Sequence, residues 1–125
     1  MKFAIKIEPT ITIIAPETEV MDMEVGAALL SKVNEEIRNT PYPSIIVDLG
    51  QVEQLLNESI SSILSIQESI EKSEGILVFA CLQDFVLQKV KQERLHLNIH
   101  VAHNIEDAKD LINKEQVSRS LLKEL

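Results

Sequence analysis

At 125 residues, 45% of them apolar, the chain has the length for one compact domain, 1–125, whose core stands without disulfides or metal. Its formal charge of −8 opposes binding to phosphate backbones and anionic lipid, which removes nucleic acid from the expected partners. Cys81 is alone and has no internal disulfide partner, no apolar run reaches membrane-span length, and Met1-Lys2-Phe3 leads into alternating residues without the apolar stretch of a signal peptide; the expected setting is the cytoplasm, with no membrane association.

Taken in order, Lys2 to Ile7 alternates Phe3, Ile5 and Ile7 with Lys2, Ala4 and Lys6, a half-buried strand. Glu8-Pro9-Thr10 interrupts it, and Ile11 to Ile14 forms a second β-branched run that Pro16 stops, so the two make a hairpin. From Asp22 onward Val25, Ala28, Leu29, Val33 and Ile37 recur at helical spacing, until the Asn39-Thr40-Pro41-Tyr42-Pro43 connector ends the helix. Ile45 to Leu49 is apolar nearly throughout, as expected of a central strand covered on both faces. The next helix runs from about Glu58 to Lys72, with Ile60, Ile63, Leu64, Ile66 and Ile70 facing inward.

Ile76 to Leu82 is a second continuous apolar run whose length favours a strand, and it makes Cys81 a buried structural thiol. Asp84 starts a helix that carries Phe85, Val86 and Val90 and turns Lys and Gln outward. Leu97 to Val101 alternates again as a fifth strand, and Asn104 caps a last helix with Ile105, Ala108, Leu111 and Ile112 on one face. Beyond it lies a tail, 114–125, in which Val117, Leu121 and Leu125 continue that helix or form an exposed extra turn. The order β-β-α-β-α-β-α-β-α predicts an α/β fold with a mainly parallel mixed sheet of about five strands and helical crossovers.

The chemistry in the sequence is sparse. Gly26, Gly50 and Gly75 lie too far apart for a phosphate loop, so no nucleotide or other cofactor is expected. His96 and His100 would share a strand face, but no Cys or acidic ligand falls in register with them or with His103, and no metal site is assigned. Ser59, Ser61, Ser62 and Ser65 crowd the second helix without a nucleophile elbow or an assignable base, which favours small residues for close helix packing over a small hydrolase. Asp48, at the end of a buried strand, is an acid, a ligand or the cap of the following turn. In parallel sheets working surfaces gather past the carboxyl ends of strands and at helix N-termini, which singles out the surface around Asn57.

The run Ile45 to Leu64, IIVDLGQVEQLLNESISSIL, resembles the core of the STAS family of bacterial anti-sigma factor antagonists, with its pattern D-L-S-x-V-x-x-x-D-S-S-G-L-x-x-L-L. Asp48-Leu49 fall on D-L, Val52 on V, Ile60 on L and Ile63-Leu64 on the closing pair; Gly75 to Gln83 and the Asn104-Ile-Glu-Asp-Ala helix start resemble later family segments. The resemblance implies a STAS-like single domain that regulates transcription by partner switching, binds a protein such as an anti-sigma factor kinase, and catalyses nothing. A constitutive scaffold or oligomerising domain is the alternative, which leaves a homo-oligomer open. It also implies that the serine phosphorylated by the partner kinase is replaced here, since D-S-S-G reads Leu56-Asn57-Glu58-Ser59. Asn57 stands at the acceptor position as a plain N-cap, Glu58 resembles a fixed negative charge, and Ser59 is the substitute hydroxyl. The expected partner-binding face combines Asp48, Asn57, Glu58, Ser59 and Ser62.

Overall fold

A computed structural model describes residues 2–123. Met1, Leu125 and Glu124, the ends of the expected 1–125 domain and of its helical tail, lie outside the described residues. Strands β1 (Phe3–Ile7) and β2 (Thr12–Pro16) form the antiparallel hairpin, from Phe3 opposite Pro16 to Ile7 opposite Thr12. Pro16 is the last residue of β2 rather than a stop before it. It escapes penalty because the parallel pairing of β2 with the next strand ends at Ile14, so no ladder bond requires its missing N–H. A two-residue strand β3 (Val20–Met21) precedes helix α1 (Met23–Asn39), which Asp22 caps by accepting the Val25 N–H at 2.9 Å.

Strand β4 (Ser44–Asp48) follows, then a short β5 (Gln54–Leu55), a 3₁₀ turn (Asn57–Ser59) and helix α2 (Ile60–Lys72). Strand β6 (Ile76–Ala80), helix α3 (Asp84–Gln92), β7 (His100–Ala102) and helix α4 (Ile105–Lys123) complete the described chain. The main sheet has the order β1-β2-β4-β6-β7 and is parallel except for the hairpin, while β3 and β5 pair separately as a parallel ribbon that the sequence reading missed. Two residues per strand leave no periodicity to detect.

The continuous apolar runs follow from burial on both sheet faces. Ile45, Val47, Leu77 and Phe79 point toward α1, α2 and α3, where Leu29, Val33, Ile66 and Val86 pack; Ile46, Ile76, Val78 and Ala80 point toward Ala108 and Ile112 of α4. Each fully buried Val, Leu, Ile or Phe among them contributes about 1.5–3 kcal/mol. Lys109 of α4 also reaches Glu8 in the hairpin at 3.1 Å and holds its carboxyl below the ordinary glutamate range.

Several expectations are corrected. Leu97 to Ile99 do not extend a strand, because Arg94 turns left-handed (φ 58°) and Leu95–Leu97 coil into a 3₁₀ turn, with Ile99 N–H bonded back to the Leu95 carbonyl. His96 and His100 therefore share no strand face. Leu64 and Phe85 are exposed rather than inward, since Ile63, Ile66 and Ile70, and Val86 and Val90, already fill the buried stripes of α2 and α3. Cys81 lies one residue past β6, half-buried and at φ 65°, not inside a doubly covered strand. The expected tail is helical through Lys123, with Val117 and Leu121 exposed.

Candidate functional site

The chain leaves β4 at Asp48 and turns at once: Asp48 Oδ1 accepts the Gly50 N–H at 2.8 Å, so the aspartate caps its own turn. Glu53 and Gln54 N–H then bond to the Glu19 carbonyl, at 2.7 and 3.1 Å, and Leu56 N–H to the Met21 carbonyl at 3.0 Å. This ribbon fixes Leu56 where the 3₁₀ turn begins. The turn holds Asn57 and Glu58 outward and Ser59 inward.

The inward residue changes the expected face. Ser59 is fully buried, and its hydroxyl donates to the Leu56 carbonyl at 2.7 Å, so it is removed from the surface where a partner would dock. Asn57 does not cap α2, and among the described residues no side chain does. Its Oδ1 instead accepts from Lys89 Nζ of α3, which also bridges Glu93 at 3.1 Å. Ser62 is half-buried against α1, where a Cβ on Gly26 would stand 2.8 Å from its Oγ. Ser62 thus serves close helix packing, while Ser61 is exposed. Glu58 is exposed in the first turn, where backbone N–H groups favour an anion.

Between Gln54–Asn57 and the facing side of α3 runs an open groove of about 620 Å³, bordered by Phe85, Gln88, Lys89 and Gln92. Phe85 is 79% exposed beside it. Neither Phe85 nor Lys89 belonged to the expected site, yet a signal existed: Val86 and Val90 share one face of α3, so Phe85 and Lys89, also four apart, must share another. Asp48 is not part of this groove. It borders a separate hollow of about 410 Å³ with Ile105, Glu106 and Lys109, and it faces Cys81, whose thiol is pushed up first by burial and then by the Asp48 charge and hydrogen bond.

The other end of the sheet carries a cavity of about 670 Å³ near Tyr42, Ser44, His100 and Arg119. Its arginine is committed to the Glu74 and Gly75 carbonyls, at 2.7 and 3.2 Å, and to Glu115. Among the described residues no three His, Cys, Asp or Glu side chains are grouped to hold a metal ion.

A STAS domain model matches residues 2–108. The chain belongs to the STAS domain family. Its first α4 residues close the matched region, and the rest of α4 runs past it. The fold of this STAS domain is similar to that of a Thermotoga maritima protein provisionally described as an anti-sigma factor antagonist, with a TM-score of 0.78 and 21% identity over 89% of this chain and 94% of that one. An anti-sigma factor antagonist from Mycobacterium paratuberculosis has a TM-score of 0.76 and 14% identity, with 90% and 93% covered. A serine-to-glutamate variant of RsbS from Moorella thermoacetica has a TM-score of 0.76 and 13% identity, with 95% and 99% covered. At these identities the likeness establishes the fold. No curated protein sequence matches the chain. No described helix is long and apolar enough to cross a membrane.

Proposed function

We propose that this STAS domain is a cytoplasmic regulatory module of the anti-sigma factor antagonist kind, which binds a protein partner without serine phosphorylation and catalyses no reaction. Family membership supports partner switching as the general role. The observation that carries the finer reading is the acceptor position: Asn57 bears no hydroxyl and is engaged by Lys89, while the hydroxyl of Ser59 is buried and spent on Leu56. The partner, an anti-sigma factor kinase or a related protein, docks on Asn57, Glu58 and the groove beside Phe85. Glu58 supplies there the fixed negative charge that a phosphate would otherwise bring.

A constitutive scaffold using the same face is the second reading, favoured by the same missing hydroxyl. The hydrolase reading lacks support, because the Ser59 proton already serves a backbone carbonyl and the Cys81 thiolate is disfavoured.

Co-purification from native cells with mass spectrometry identifies the partner, and phosphopeptide mapping is expected to find residues 56–62 unmodified. Abundant phosphate on Ser59 would overturn the reading. Calorimetry of Glu58→Gln against the partner separates its parts: tighter binding to a kinase supports phosphate mimicry, and unchanged affinity removes the mimicry while leaving the interface. Binding that no cellular state modulates selects the scaffold.

A further inference from the structure

Among the described residues, no strand pairs with the outer edge of β1. Glu17 N–H bonds to the Lys2 carbonyl at 3.0 Å and Glu8 N–H to the Ile11 carbonyl at 2.9 Å, so in the antiparallel alternation the even residues of β1 bond inward to β2. Phe3, Ile5 and Ile7 therefore turn their main-chain N–H and C=O groups outward, at the free edge of the order β1-β2-β4-β6-β7. Their side chains share one sheet face. Phe3 is partly packed on the core, while Ile5 is 48% and Ile7 77% exposed. An edge with free main-chain groups and an apolar row is a template for another strand.

We propose that two copies of this chain join β1 to β1 in antiparallel register centred on Ile5, making one continuous sheet across a two-fold axis. The charges select the occupant and the register. Centring on Ile5 puts Ile5 opposite Ile5 and Phe3 opposite Ile7 of the other copy, each pair exchanging both main-chain bonds. On the other face it sets Lys6 opposite Ala4 and Lys2 opposite Glu8, whose carboxylate also holds Lys6 and Lys109 of its own chain. Moving the centre to Ala4 would bring Lys2 against Lys6, and moving it to Lys6 would bring Lys6 against itself; like charges directly opposite destabilise. Of the registers that overlap most of β1, the one centred on Ile5 alone avoids setting lysine opposite lysine. Lysines on an edge strand ordinarily discourage pairing, and here they discourage the wrong registers. The contact is isologous and closes at two copies. It lies at the β1 end of the sheet, whereas α3 and its groove connect β6 to β7.

Sedimentation velocity over micromolar to submillimolar concentrations is expected to show a monomer–dimer equilibrium for the intact chain. Ile5→Lys, at a half-exposed position, should keep the circular dichroism spectrum and weaken association by roughly tenfold or more, since it sets two ammonium groups together at the axis. Ile5→Cys should form an intermolecular disulfide under mild oxidation, while Ala4→Cys, on the opposite face and facing Lys6, should not exceed the background from Cys81. A chain that stays monomeric throughout would overturn the proposal. So would a dimer indifferent to Ile5→Lys, which would place the contact elsewhere, such as on Val117 and Leu121 of α4, or equal crosslinking by the two cysteines. Binding of a partner in the Phe85 groove is expected to survive Ile5→Lys, so this interface and the regulatory reading fail separately.

Discussion

Cys81 carries its thiol on a left-handed backbone, half-buried beside Asp48 and the start of α4. Burial, and then the neighbouring carboxylate, disfavour the thiolate, so the thiol pKa stands above its ordinary value. Asp48→Asn removes a negative charge that repels the thiolate, so it should lower the thiol pKa and speed labelling at neutral pH. The pH dependence of the labelling rate, in wild type and variant, checks this, and an unchanged midpoint would leave burial as the whole cause. The sequence suggested an inert cysteine for a simpler reason, burial within a strand. The thiol is held back instead at a turn, first by its partial burial there and then by a charge that chain order places far from it.

At the scale of elements, the contact between α1 and α2 rests on the absence of a side chain. A Cβ on Gly26 would approach Ser62 Oγ to 2.8 Å and Ser62 Cβ to 2.9 Å, and the Cβ cannot swing aside. Gly26→Ala gains up to about 1 kcal/mol in helix propensity but forces the helices apart, for which overpacking costs of about 1–3 kcal/mol apply. A net loss of stability, read as a lower denaturant midpoint with the slope unchanged, is expected. The end of α2 offers the opposite change. Glu74 adopts φ 58° just past the helix, with its N–H on the Glu71 carbonyl and Gly75 N–H on the Ile70 carbonyl, a turn in which the left-handed residue is usually glycine. Glu74→Gly removes that strain while freeing the unfolded chain, and a gain of several tenths to about 1 kcal/mol is expected in the same titration.

For the whole molecule, the question is how two segments distant in sequence become one surface. The β3–β5 ribbon pins Leu56 beside Met21, α3 lies opposite, and Lys89 spans to Asn57, so the groove exists only when the sheet and its helices are assembled. Phe85 is its exposed aromatic, a residue type that often dominates interface energies. Phe85→Ala should leave thermal stability within about 0.5 kcal/mol, as for exposed positions, and weaken partner affinity by more than about 1 kcal/mol. Calorimetry with the co-purified partner measures the second, and undiminished affinity would move the docking surface off this groove.

Local pattern was enough to determine the α/β class, the hairpin, the two central strands and the four helices. Their residues are buried on one stripe or on both faces, and such burial writes a period into the chain. It also determined that Asn57 carries no acceptor hydroxyl, since that depends on residue type alone. Tertiary structure decided the rest. The strand expected at Leu97–Ile99 is absent because Arg94 reverses the chain into a 3₁₀ turn at Leu95–Leu97, and the ribbon pairs strands too short to have a period. Ser59 turned inward and Asn57 was claimed by a lysine 32 residues away, because hydrogen-bond partners are set by which elements meet.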